Sequence, residues 1–123
     1  MSHPKRIIAV VDDDARLLES LENLFESAGH SVRTFASADA VLVAGLGDVD
    51  CLITDIGMPG MDGFQLRDAV GKLRPELPVF LVTGRHEIGT QRPADVAAAS
   101  GLFRKPIDGQ LLLAAVEKIL DQH

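Results

Sequence analysis

Short apolar runs along the chain alternate with stretches in which apolar residues recur at helical spacing. Apolar runs at 7–11, 51–54, 79–82 and 101–104 predict strands, and the first reads as a strand buried on both faces. The segment 31–35 alternates polar and apolar residues, which is typical of an edge strand. Regular alternation of strands with helices predicts a parallel sheet covered on both faces.

Capping residues mark where most of the predicted helices begin and end. Asp14 and Gly29 bound the first helix, Ser37 caps a short helix over 38–44, and Asp108 caps the last one. A third helix follows a glycine-rich loop and contains Phe64, Leu66 and Val70. The last helix is predicted to bury Leu111, Leu112, Ala115, Val116, Ile119 and Leu120.

Length and composition favour one small α/β domain. With 123 residues, the chain is long enough for a single core, so we expect one domain over 1–123. Right-handed crossovers then give a doubly wound (βα)5 sheet, with the strand order 2-1-3-4-5. The net charge of −6 argues against a nucleic-acid surface, and no apolar run is long enough to span a membrane.

The single cysteine, Cys51, fits a reducing compartment and is predicted to be inert core. The first residues lead directly into a predicted strand, so no signal peptide is expected. We therefore expect a cytoplasmic location.

Polar residues stand where the apolar runs stop: Asp12 and Asp13, Asp55, Thr83 and Lys105. The carboxyl ends of parallel strands meet at one edge of the sheet, where open α/β sheets bind ligands. The predicted order makes the first and third strands neighbours, about 5 Å apart. Carboxylates at that distance repel by about 3 kcal/mol per pair, so the cluster favours protons or a cation, and hard oxygen ligands favour Mg²⁺.

These side chains together suit phosphoryl transfer. Asp55 offers a carboxylate nucleophile, while Lys105 and Thr83 offer an ammonium and a hydroxyl for phosphoryl oxygens. Taken singly, each residue is an ordinary turn, strand-end or surface residue. Their agreement at several separate strand ends favours a shared site.

Over nearly its full length the chain resembles the receiver domain of two-component response regulators, which has a flavodoxin-like fold. The motifs are the acidic pair, the segment Asp-x-x-Met-Pro-x-x-x-Gly from Asp55 to Gly63, Thr83, and the pair Lys105-Pro106. The segments 55–63 and 82–84 look most like regulators of the nitrogen-fixation and nodulation type.

The resemblance implies a phosphoacceptor and a metal site. Asp55 is expected to accept a phosphoryl group from a phosphohistidine of a sensor histidine kinase or a phosphotransfer protein. Asp12, Asp13, Asp55 and the carbonyl of Gly57 are expected to hold Mg²⁺. The domain would catalyse only its own phosphoryl transfer and autodephosphorylation, and would not be an enzyme in the usual sense.

The resemblance also assigns the phosphoryl contacts and the switch. Thr83, Gly84 and Lys105 are expected to bind the phosphoryl group, Thr83 turning inward as the domain switches. The Lys105–Pro106 bond is expected to be cis. A monomer or weak dimer acting on an output domain or a downstream protein is expected, without direct nucleic-acid binding. Whether the receiver stands alone or belongs to a longer regulator stays open.

Two features depart from the family pattern. Receivers usually carry Tyr or Phe three positions before the lysine, but this chain has Leu102, and Phe103 should face the other side of the sheet. The segment 84–93 is unusual for the start of a helix, and Pro93 suits a first helical turn. We expect a short helix beginning near Pro93.

Three other functions share parts of this pattern. Phosphatases of the haloacid dehalogenase type carry an Asp-x-Asp nucleophile segment after the first strand and a cap domain, for which this chain has no room. Flavodoxin-like carriers need a hydroxyl-rich phosphate loop and stacking aromatics, whereas this chain has acids there and no Trp or Tyr. A degenerate receiver that binds proteins without phosphorylation is the remaining alternative.

Overall fold

The computed structural model describes residues 6–84 and 101–121. In these residues one sheet contains β1 (Ile7–Val11), β2 (Ser31–Phe35), β3 (Cys51–Asp55), β4 (Val79–Thr83) and β5 (Leu102–Arg104). All the strand pairs are parallel and the order is β2-β1-β3-β4-β5, which confirms the prediction.

The helices of the described residues are α1 (Ala15–Ser27), α2 (Ala38–Ala44), α3 (Gly63–Leu73) and α4 (Gly109–Asp121). None of these helices is long and apolar enough to cross a membrane. The helix expected near Pro93, and most of the unusual segment 84–93, lie outside the described residues.

The sheet is buried on both faces because successive residues of its central strands point in opposite directions. One face packs against α1 and α4, and its buried residues include Ile8, Val10, Ile53, Leu21, Phe25, Leu112, Val116 and Leu120. The opposite face packs against α2 and α3 through residues such as Ala9, Val11, Leu52, Val41, Leu66 and Val70. All five residues of β3 are buried, so the centre of the sheet is a rigid support for its carboxyl edge.

Local polar contacts fix the helix ends where the sequence predicted them. The Asp14 side chain accepts a hydrogen bond from the amide of Arg16, and the Ser37 hydroxyl accepts one from Ala40. Asp108 accepts from two amides at the start of α4. Gly29, just past the end of α1, has a φ of 96°, a conformation that favours glycine.

The prediction that Leu111 lies on the buried face of the last helix is wrong, because its side chain is 62% exposed. The buried stripe of α4 is centred on Leu112, Val116 and Leu120, which recur every four residues. Leu111 precedes that stripe by one residue, a rotation of about 100° around the helix, and therefore points toward solvent.

The side chains of Leu102, Phe103 and Cys51 lie where the sequence predicted them. Leu102 packs toward Ile56 and Leu81, whereas Phe103 lies on the other face, with its ring centroid 6.1 Å from that of Phe80. Cys51 is completely buried, and burial raises the pKa of its thiol far above the ordinary value, which agrees with an inert core residue.

Candidate functional site

Three carboxylates meet at the carboxyl edge of the sheet. Asp12 and Asp13 follow β1 directly, and Asp55 is the last residue of the adjacent strand β3. Each contributes an oxygen to a group whose atoms all lie within 4.8 Å of one another. Asp12 and Asp55 are only 2% exposed, while Asp13 faces solvent. The predicted crowding of these carboxylates is therefore present.

Backbone contacts hold Asp12 in the turn between β1 and α1. Its amide donates to the carbonyl of Phe35, 3.1 Å away, which extends the pairing of β1 with β2. Its Oδ1 accepts from the amide of Asp14 at 2.8 Å, and Asp14 in turn caps α1. Of the three consecutive acids, Asp14 caps the helix, whereas Asp12 and Asp13 face the site.

Lys105 reaches this cluster from the end of β5. Its Nζ lies 3.2 Å from Asp12 Oδ2 and 3.4 Å from Asp55 Oδ1. Its amide donates to the carbonyl of Thr83 at 2.8 Å, and the bond to Pro106 is cis, as predicted. The lysine therefore spans β4 and stands between the two buried carboxylates.

The electrostatics of the cluster are dominated by burial. Burial raises the pKa of Asp12, and the Asp14 amide and Lys105 offset this only in part. Burial alone would lower the pKa of Lys105, but the carboxylates of Asp55 and Asp12 outweigh it, so the pKa of the lysine is raised. The ammonium thus stays charged at neutral pH, and ionised Asp12 is costly to keep in place.

The remaining predicted site residues lie along the same edge. Thr83 ends β4 and is fully buried, and its hydroxyl donates to the carbonyl of Gly84 at 3.1 Å. Asp55 pairs with Val82, so Thr83 lies one residue further along the neighbouring strand. Gly57 is half-buried in the turn after β3. These residues border the cluster, within which the Lys105 ammonium contacts Asp12 and Asp55.

The donor set suits a small hard cation. All the candidate ligand atoms in the cluster are carboxylate oxygens, which Mg²⁺ prefers over nitrogen or sulfur ligands. The carboxylates come from two adjacent strand ends and leave one side open to water through Asp13. A cation in this position offsets the repulsion between the acids, so the residues fit Mg²⁺.

Two features of the site were not anticipated from the sequence. The contact of Lys105 with Asp12 was missed, although the adjacency of β1 and β3 implies that a lysine near Asp55 also approaches Asp12. The close packing of Gly63 against the backbone of Asp55 was also missed. Its signal was a glycine at the end of the motif that begins with Asp55.

The comparisons with known proteins agree with this geometry. The profile described as "Response regulator receiver domain" matches residues 8–117. This chain belongs to the response regulator receiver domain family, and the predicted family is confirmed. It is a signalling domain and not a classical enzyme. Receiver domains of this family act together with histidine kinases and output domains.

Among curated relatives, Nodulation protein W of Bradyrhizobium diazoefficiens is 35% identical over 113 residues, which cover 91% of this chain and 50% of that protein. Transcriptional regulatory protein FixJ of the same organism is 33% identical over 116 residues, 94% of this chain and 57% of that protein. The chain thus spans about half the length of these relatives.

A solved structure shows the same fold. The CheY-like response regulator receiver domain protein from Methanospirillum hungatei JF-1 superposes with a TM-score of 0.84 at 28% identity. The match covers 97% of this chain and 96% of that one. It confirms the predicted doubly wound fold of the receiver type.

Proposed function

We propose that the domain accepts a phosphoryl group on Asp55 from a phosphohistidine of a sensor kinase or phosphotransfer protein. The observation that carries this proposal is the position of Asp55, buried beside two further acids with the Lys105 ammonium 3.4 Å from its carboxylate. A buried nucleophilic carboxylate with a cation at hand suits phosphoryl transfer.

The transfer exchanges one bond to phosphorus for another. A carboxylate oxygen of Asp55 forms a bond to phosphorus as the bond from phosphorus to the imidazole nitrogen breaks. The imidazole leaves with the bonding electron pair, and it is neutral when its other nitrogen carries a proton. Water later attacks the phosphorus of the aspartyl phosphate, which returns Asp55 as a carboxylate and releases inorganic phosphate.

The chain's own residues position the charge of the transferring group. Lys105 contacts the carboxylates of Asp12 and Asp55, so its ammonium lies where it would bind an oxygen of a phosphoryl group on Asp55. Asp12, Asp13, Asp55 and the Gly57 carbonyl would hold Mg²⁺, which would supply positive charge to stabilise the phosphoryl oxygens.

Thr83 and Gly84 form the proposed switch. The Thr83 hydroxyl donates to the Gly84 carbonyl, a local contact that a phosphoryl oxygen at Asp55 can replace. Turning inward would bring the hydroxyl to the phosphoryl group. A two-state element of this kind is what a phosphoryl group needs to shift a conformational equilibrium.

The setting of this reaction is also part of the proposal. We take residues 1–123 as one receiver domain, acting in the cytoplasm as a monomer or weak dimer. Its partner for output is a further domain or a downstream protein, as the greater length of the curated relatives suggests.

Acetyl phosphate labelling tests the function. The intact mass of the wild type should increase by one phosphoryl group only when Mg²⁺ is present, and Asp55→Asn should not label. Asp68→Asn, which changes an exposed acid on α3, is the matched control and should label normally. Labelling of Asp55→Asn at the wild-type rate contradicts the assignment of the acceptor. A wild type that never labels supports the degenerate binding module instead.

A further inference from the structure

Gly63, the first residue of α3, packs directly against the backbone of the phosphoacceptor. Its amide donates to the carbonyl of Ile56 at 2.9 Å. A Cβ at position 63 would meet the Asp55 carbonyl oxygen most closely, and would lie 2.8 Å from Ile56 Cα and 3.0 Å from the Asp55 carbonyl carbon. All three are backbone atoms, so no side-chain rotation can make room.

The backbone of Asp55 is also held from its other sides. The Thr54 hydroxyl lies 3.1 Å from the Asp55 carbonyl oxygen and donates to it. The amide of Ile56 donates to the carbonyl of Val82 at 2.8 Å, which ties this turn to β4. A displacement of the Asp55 peptide therefore disturbs the end of the sheet on which its carboxylate depends.

The helix on the other side of this contact is anchored as well. Asp62 and Gln65 form a capping box at the start of α3, with hydrogen bonds of 2.8 and 2.9 Å. Phe64, Leu66 and Val70 are fully buried and fix the helix against the sheet. Neither side can yield freely, because both belong to packed elements.

We propose that Gly63 is a positioning residue for Asp55, an inference that rests on the proposed function. Its missing side chain lets α3 seat against the Asp55 peptide, and this contact sets where the carboxylate lies relative to Lys105 and the acidic pair. An added methyl group shifts Asp55 away from this arrangement. A displacement of about 1 Å can slow a reaction by about a hundredfold.

Gly71 provides a matched control in the same helix. It is exposed, and a Cβ added there would meet no atom of residues 6–84 or 101–121 within 4 Å, its chain neighbours and the backbone of its own helix aside. Gly71→Ala therefore makes the same chemical change without the contact. It should raise the melting temperature slightly, because alanine is more favourable than glycine in a helix interior.

The test measures the rate of labelling by acetyl phosphate with Mg²⁺ over a range of donor concentrations. Gly63→Ala should lower the maximal rate by about tenfold to a hundredfold, with a smaller change in the donor concentration for half-maximal rate. Gly71→Ala should label as the wild type does. Any stability that Gly63→Ala loses should be partly regained in the double variant G63A/G71A, which should still label slowly. This result would separate a role of Gly63 in positioning Asp55 from a role in stability.

Three results overturn the inference: wild-type labelling of Gly63→Ala, recovery of wild-type labelling in the double variant, or a double variant that no longer folds. The last two would give Gly63 a role in stability or folding alone. The proposed function fails separately, through normal labelling of Asp55→Asn or no labelling of the wild type.

Discussion

At the amino end of the sheet, charged side chains bind backbone groups, whereas at the carboxyl end they crowd against one another. Arg74, just past α3, donates to the carbonyls of Leu46 and Val49, each at 2.6 Å. Asp50 accepts from the amide of Ile7 at 2.8 Å. Arg74 ties the end of α3 to the connection before β3, and Asp50 ties that connection to β1, so this end uses charge to hold the fold together.

The carboxyl end gathers three acids, two of which contact Lys105, and burial raises the pKa of Asp12 even with that lysine present. This arrangement opposes folding locally and favours a ligand that brings positive charge. The difference shows that the two ends serve different purposes. Mutations at the amino end should lower stability, whereas mutations at the carboxyl end should change binding and chemistry, and loss of a buried carboxylate there should raise stability.

Apart from loss of the acceptor Asp55 itself, removal of the lysine should produce the largest change at the carboxyl end. Lys105→Met deletes the cation that would bind a phosphoryl oxygen, so acetyl phosphate labelling should slow by about a hundredfold. Lys72→Met, an exposed change on α3, should leave the rate unchanged. Equal rates for Lys105→Met and the wild type would remove the lysine from the proposed mechanism.

Arg74→Met should have the largest effect at the amino end, and on stability alone. The change leaves the Leu46 and Val49 carbonyls without their donor and should lower the free energy of unfolding by about 2 kcal/mol. Urea denaturation measures this loss, and Arg33→Met, which removes only an exposed pair with Asp48, should lose less. A folded Arg74→Met variant that labels much more slowly than the wild type would contradict the division between the two ends.

Asp13→Asn should weaken Mg²⁺ binding by about tenfold, since it removes a charged oxygen ligand from the cluster. Isothermal titration calorimetry gives the affinity directly. Asp14→Asn is a close control, because asparagine also caps a helix and the change leaves the Asp13 carboxylate in place. Similar losses in the two variants would indicate a general charge effect and not a ligand at position 13.

Asp12→Asn should stabilise the metal-free protein. A carboxyl group whose pKa is raised by folding supports the folded state only while protonated, and this support is lost as pH rises through the folded pKa. The variant should therefore melt about 4 °C above the wild type at neutral pH in EDTA, an effect on the order of 1 kcal/mol.

The pH dependence of this stability difference tests whether ionised Asp12 destabilises the fold. The difference in melting temperature between Asp12→Asn and the wild type should shrink as pH falls toward 3.8, the ordinary pKa of an aspartate. Around and below that pH the wild-type carboxyl becomes protonated in both the folded and the unfolded protein. An advantage that grows in acid, or a variant that melts below the wild type at neutral pH, would contradict the view that Asp12 is costly when ionised.

The sequence predicted the strands well because buried parallel strands are continuous apolar runs with clear ends. The bounds of β1, β2 and α2 agree with the structure, while β3 and β4 extend one residue further, to Asp55 and Thr83. The sheet order followed from the handedness of the connections. Together these features predict that the acids and Lys105 lie at one edge of the sheet.

What the sequence could not predict depends on distances between packed elements. Whether Leu111 is buried or exposed depends on its position around α4, one residue before the buried stripe. The spacing of the leucines along the helix did not fix that position. The seating of Gly63 against Asp55 depends on how closely α3 approaches β3, and no local pattern encodes that separation. The contact between Lys105 and Asp12 likewise required the path of one long side chain.

The most direct test of the central claim is to identify the phosphorylated side chain. The wild type is treated with acetyl phosphate and Mg²⁺, the acyl phosphate is reduced with borohydride to homoserine, and the modified peptide is located by tandem mass spectrometry. We expect conversion at Asp55 alone, with Asp12 and Asp13 unchanged in the same sample. Conversion at either member of the acidic pair, or none at Asp55, would contradict the proposed roles of the three acids.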